Sequence, residues 1–133
     1  MKFHMNDKSI ILIRFMCILV FCSGCAKEPT KPENTLSVTE LFTDPEYETT
    51  IRVYGEVRYL GEVECTCFSI VSDGESVHVW YDMMTKDDGA IMPAVSTEGI
   101  KNGDWVIVSG KLKSPEPGFQ SKDFWANTIK VLE

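Results

Sequence analysis

The chain has 133 residues, with 20 acidic side chains against 13 basic ones and a formal net charge of −7. That length holds a single domain once any targeting segment is set aside. An acidic surface repels phosphate backbones, which supply most of the non-specific affinity for nucleic acid. The charge therefore weighs against a nucleic-acid partner, and against docking on anionic lipid, unless basic groups gather on one face.

The first element is an apolar run. Ile10-Ile11-Leu12-Ile13 is interrupted by Arg14 and resumes from Phe15 to Phe21, with Lys2 and Lys8 before it and small residues after it. This is the layout of a secretory signal. The run is too short and too interrupted for a good membrane span, which needs about 20 apolar residues. A plain hydrophobic anchor helix is the alternative reading.

The run ends in Phe21-Cys22-Ser23-Gly24-Cys25. This stretch resembles a lipobox, with Cys22 standing where leucine is usual. The resemblance implies a lipoprotein signal over residues 1–24, cleavage before Cys25, and acyl chains on Cys25 as the mature N-terminus. It implies a membrane-anchored protein on the extracytoplasmic side. Two or more chains give a stable anchor, since each buried CH₂ contributes roughly 0.8 kcal/mol. Loss of residues 1–24 removes Lys2, Lys8, Arg14 and Asp7, which leaves ten basic and nineteen acidic residues and a charge of −9. Cys17 and Cys22 leave as well. Only Cys65 and Cys67 then remain as thiols, in a compartment that permits disulfides.

Residues 26–35, polar and with Pro29 and Pro32, read with Cys25 as a lipidated tether ahead of a domain over 36–133. As polyproline II, ten such residues reach about 30 Å. Ser37 and Glu40 have the spacing of a capping box, so a short helix is expected over 37–43, stopped by Asp44-Pro45. In the first strand Ile51, Val53, Val57 and Tyr59 alternate with Arg52, Tyr54, Glu56 and Arg58, and Gly55 marks a bend on the inward side. Asp73-Gly74 joins two alternating runs as a hairpin. A two-residue turn pairs Phe68 with Val79 and Ile70 with Val77, and sends both to the core with Tyr81. Any one-residue slip would mix the faces. Cys65, Cys67, Ser69, His78, Trp80 and Asp82 then face outward, with Ser69 opposite His78, Cys67 opposite Trp80 and Cys65 opposite Asp82. Residues 82–103 form a long connection holding a short helix or a loop. A fourth strand follows, with Val106, Val108 and Leu112 inward and a bend at Gly110. A loop over 114–123 leads to the fifth strand.

These segments make an all-β, five-stranded arrangement with a short N-terminal helix and its longest insert between strands three and four. The stretches 36–57 and 100–113 resemble the opening and the fourth strand of tRNA-anticodon-type OB-fold domains, which are nucleic-acid-binding-like barrels. The resemblance covers residues 36–133 and implies a binding surface on the outer face of strands two and three. Here that face holds Arg58, Cys65, Cys67, Ser69, His78 and Trp80, with Phe119 on the loop between strands four and five. The ligand stays open between a nucleic acid, a saccharide and an extracytoplasmic protein.

Sharper chemistries compete for the same residues. Trp80 is either a stacking platform or is covered by neighbouring chain. Two strand residues one apart lie about 6.6 to 6.8 Å from each other, at the upper limit for a bridge between Cys65 and Cys67. Cys65 and Cys67 with His78, or with Asp82 as well, could form a thiol-redox or metal module. Structural zinc sites, however, favour Cys-x₂₋₄-Cys spacing and a second cysteine pair. No phosphate loop, nucleophile elbow or His-Glu-x-x-His occurs, and Ser69 opposite His78 has no evident third group. The expectation is a binding module without catalysis, metal or cofactor.

Overall fold

The computed structural model describes residues 28–81, 85, 87–90 and 95–133. The apolar run, Cys25 and Asp82 lie outside them. Among the described residues no helix is long and apolar enough to cross a membrane.

Helix α1 (Val38–Thr43) is followed by β1 (Thr50–Arg58), β2 (Cys67–Ser72), β3 (Glu75–Trp80), β4 (Trp105–Leu112) and β5 (Asp123–Val131). The strands close a barrel in the order β1-β2-β3-β5-β4. All neighbours are antiparallel except β3 and β5, which run parallel. This is the topology of an OB-fold. Among the described residues of the connection from β3 to β4 none is helical, and the remainder of that connection lies outside the description.

Local chemistry explains each element. Ser37 caps α1: its hydroxyl accepts from the Glu40 N–H, while the Glu40 carboxylate accepts from the Ser37 N–H, so two orphan donors are satisfied. Asp73 and Gly74 both take positive φ, 51° and 79°, as the tight hairpin turn requires. The expected register results, with Phe68 opposite Val79, Ile70 opposite Val77 and Cys67 opposite Trp80. Phe68, Ile70, Val77, Val79, Val106, Val108, Leu112 and Phe124 form the core, with Val38 and Leu41 of α1 sealing one end. Buried Ser72 ties that end together. Its hydroxyl donates to the Tyr54 carbonyl at 2.7 Å and accepts from the Val38 N–H at 2.8 Å.

Gly55 and Gly110 both point inward. At Gly110 a Cβ would collide with the Trp125 carbonyl and crowd the Phe124 ring, so β4 and β5 approach more closely than any side chain permits. The ladder shifts register at this point, between Ser109 and Gly110.

Three expectations are corrected. Tyr59 does not continue the inward row of β1. The strand ends at Arg58, and Tyr59 turns out with φ 63° and 56% exposure. Strand β2 begins at Cys67 rather than Cys65, because a disulfide joins the two cysteines and draws their Cα atoms to 5.2 Å, shorter than extended spacing. Finally, the polar segment before α1 does not hang free up to residue 35. Lys31 pairs with Glu40 at 2.6 Å, Thr35 is buried, and Leu36 hydrogen-bonds with Arg52 and Tyr54 of β1.

A candidate ligand-binding face on β2, β3 and β5

The outer face of the hairpin is built from the parity of its strands. With Phe68, Ile70, Val77 and Val79 committed to the core, Cys67, Ser69, His78 and Trp80 must point the other way. The structure brings these four together in two rungs, Cys67 with Trp80 and Ser69 with His78. Their exposure differs from the simple expectation of an open face. His78 is exposed and Trp80 half-buried, but Cys67 and Ser69 are only 7% and 8% exposed. Both have short side chains set between longer ones. Ser69 lies between Arg58 of β1 and His78 of β3, and Cys67 lies beside Trp80 and under its own bridge to Cys65.

Strand β5 contributes residues that the hairpin alone did not reveal. Its parallel pairing sets Asp123 beside His78 and Trp125 beside Trp80. The Trp80 indole N–H donates to the Asp123 carboxylate at 3.0 Å. Lys113 places its ammonium 4.2 Å from the centre of the Trp125 ring, and Glu48 holds that lysine at 3.1 Å while accepting from the Ser114 N–H. These bonds hold the Glu48 carboxyl below its ordinary range, the backbone N–H of Ser114 contributing most and Lys113 next. The face is thus a strip from Cys67 through Trp80 to Trp125, fixed at one side by a Glu48–Lys113 pair. Alternation in β5 alone, with Phe124 and Ala126 inward, signals that Asp123 and Trp125 point outward. Only the barrel order tells which strand they join.

Two loops border the strip. The β1–β2 loop carries Tyr59 and Val63, and the β4–β5 loop carries Phe119, which is 72% exposed. A surface hollow of about 330 Å³ runs along the second loop from Lys113 to Asp123 and includes Phe119. Arg58 is paired with Glu56 at 3.2 Å.

Catalytic and metal arrangements can be weighed directly. Ser69, His78 and Asp123 lie on one row of three strands, and His78 Nδ1 stands 3.8 Å from Asp123. Yet no hydrogen bond joins Ser69 to His78 among the described residues, and the Asp123 oxygen facing His78 already accepts from Trp80. A nucleophile without a base in contact is not activated. With Cys65 and Cys67 joined, neither offers the thiolate a metal would need. Among the described residues no cluster of three or more His, Cys, Asp or Glu side chains has a geometry to hold a metal ion.

Comparison with known proteins adds little beyond shape. No family model matches the chain, and no curated protein sequence matches it. Solved structures with a similar course include Ten1, a telomere capping protein from Saccharomyces pombe, at 14% identity and TM-score 0.46 over 75% of this chain and 81% of that one. The Stn1–Ten1 complex of S. pombe matches at 14% identity and TM-score 0.46, over 77% and 79%. A protein assigned as an aspartyl-tRNA synthetase from Leishmania major Friedlin matches at 13% and TM-score 0.47, over 89% of this chain but 26% of that one. The fold assignment rests on strand order and pairing, not on these likenesses.

Proposed function

We propose that this chain is a lipid-anchored extracytoplasmic protein whose OB-fold is a non-catalytic binding module, and that its ligand is the apolar surface of a protein partner. One observation carries the reading of the module. Of the four large hydrophobic side chains most exposed among the described residues, three (Tyr59, Val63 and Phe119) sit on the two loops that flank the Trp80–Trp125 strip. Exposed apolar side chains on the loops that border an aromatic strip favour association with another protein. Val63 offers no ring to stack on a base or a sugar. Arg58 and Lys113 beside the strip are held by Glu56 and Glu48, whereas exposed Lys111, opposite Trp125, has no carboxylate partner among the described residues. It is the acidic balance of the whole chain that disfavours a phosphate backbone. Anchoring is supported by the basic start, the apolar run and Ser23-Gly24-Cys25.

Two experiments test the two halves. Cys25→Ala should leave an unprocessed precursor or release the domain; normal processing with membrane retention overturns the anchor. For the module, a photo-crosslinking side chain is placed at position 119 or 63 of the anchored protein, with position 128 on exposed β5 as control. A discrete adduct from 119 and 63 but not 128 is expected. Equal adducts from all three positions, or binding of single-stranded DNA that weakens steeply with salt, overturns the protein-partner reading.

A further inference from the structure

The bridge between Cys65 and Cys67 spans one residue, and a bridge that short cannot tie distant parts of a fold. Its effect is local, and its place decides what that effect is. Cys67 is the first residue of β2, directly opposite Trp80, and Cys65 is the last but one residue of the β1–β2 loop. The other end of the loop is clamped differently. Asn102 accepts from the Leu60 N–H at 2.8 Å and donates to the Leu60 carbonyl at 3.2 Å. Between these clamps the chain makes only the turn bond from the Glu62 N–H to the Tyr59 carbonyl, among the described residues. Residues 61–64 are exposed, and no core side chain comes from them.

We propose that Cys65–Cys67 is a thiol–disulfide exchange site that sets the order of the β1–β2 loop, and so of the rim that carries Val63. This deepens the binding reading above and rests on it only for its consequence, not for its chemistry. The reductant is a dithiol. One of its thiolates attacks Sγ of Cys65, the more accessible sulfur, because Cys67 is buried beside Trp80. The Sγ–Sγ bond breaks, Cys67 leaves as a thiolate and takes a proton, and a mixed disulfide forms on Cys65. The second thiol of the reductant then attacks its own sulfur in that mixed disulfide. Cys65 is released as a thiol, and the dithiol ends as a disulfide. Two electrons and two protons pass to the protein. Reduction removes the covalent tie at Cys65, while the Thr66 carbonyl keeps its bond from the Tyr81 N–H at 3.2 Å and every barrel pairing stays in place. Reoxidation runs the same two exchanges in reverse with a disulfide as the oxidant, which leaves as a dithiol, and the second exchange is helped by the two sulfurs lying only two positions apart.

The test follows native-state amide exchange of the full-length chain before and after dithiothreitol, with alkylation scored on the peptide containing residues 65 and 67. Both cysteines should become alkylated only after the reductant, and exchange of the Glu62 amide, the one N–H of 61–66 with a hydrogen-bond partner among the described residues, should rise at least tenfold. Amides of Ile70, Val77 and Val108 should stay unchanged. Cys65→Ser, without reductant, should show the same loosened loop. Unchanged exchange of the Glu62 amide in both the reduced protein and the variant overturns the clamp. Rising exchange at Ile70 and Val77 would assign the bridge to barrel stability and overturn it equally. Neither readout needs a ligand, so a failure of the partner reading leaves this result standing and the reverse also holds. If both hold, the adduct from position 63 should fall at least threefold on reduction while that from 119 persists.

Discussion

The indole of Trp80 donates its N–H to the carboxylate of Asp123, 3.0 Å away and 43 residues later in the chain. The bond crosses the short parallel seam between β3 and β5, and it holds the central ring of the proposed face in one orientation. Because Trp80 is half-buried, Trp80→Ala is expected to cost about 1–3 kcal/mol, less than the ~3–5 kcal/mol of a fully buried ring. A double-mutant cycle with Asp123→Ala should give a coupling of about 1 kcal/mol. Urea unfolding measures both. Zero coupling would mean that the contact does not orient the ring.

Gly110→Ala should be the most damaging small substitution in the barrel. Its new methyl meets the Trp125 carbonyl, which is backbone and cannot rotate away. A loss of about 3 kcal/mol or more is expected, with the β4–β5 ladder disturbed first. Gly61→Ala, which meets nothing but sits at φ 75°, should cost only about 1 kcal/mol. Thermal unfolding of the two variants side by side tests the ordering.

Ser72→Ala removes the hydroxyl that joins α1 to β1. It leaves the buried Val38 N–H without its acceptor, and a cost of about 1–3 kcal/mol is expected. Ser72→Thr keeps the hydroxyl but adds a methyl at a 2% exposed position, so rescue should be partial at best. Amide exchange at Val38 distinguishes loss of the bond from general destabilisation.

Acid should loosen two specific attachments. The Glu40 carboxyl is held low chiefly by Lys31, then by the Ser37 N–H, and Glu48 chiefly by the Ser114 N–H, then by Lys113. For a carboxyl whose folded-state value is depressed, the unfolded chain takes up the proton first as pH falls. The stabilising contribution is therefore complete above the ordinary value of 4.5 and disappears as pH falls through the folded value. Unfolding measured between neutral pH and strong acid should show stability declining below that point. Glu48→Gln should flatten part of the decline and free the Lys113 side chain from its place over Trp125. An unchanged profile in Glu48→Gln would remove this pair from the account.

Much of the fold was legible because its signals are local. Ser37 and Glu40 declare a cap within four residues, and Asp73-Gly74 declares a turn whose register follows from four core side chains. What escaped was set by distance along the chain. Nothing near Trp125 reveals that it will lie beside Trp80, and nothing near Glu48 reveals that it will fasten residues 113 and 114. Shading was also invisible. Strand parity correctly turned Cys67 and Ser69 outward, but exposure depends on the length of the side chains across the rungs, Arg58, His78 and Trp80. Tyr59 failed for another reason: alternation continues past the last paired residue on paper, whereas the backbone turns at Arg58. The cysteine pair was judged by extended spacing, and the chain instead left the strand to bring the sulfurs together.

The parallel seam has a kinetic consequence. Three paired positions join residues 78–80 to residues 123–125, so the barrel cannot close until its last strand is available. Hairpin β2–β3 needs only its own turn and can form early, on the microsecond scale of isolated hairpins. The seam must instead wait for closure of the 45-residue separation between His78 and Asp123, which places folding among the slower, non-local topologies, in milliseconds to seconds. A chain that emerges from its N-terminus therefore lacks the β5 partner of Val79 and Trp80 until residues 123–125 arrive, and the barrel closes last at this seam.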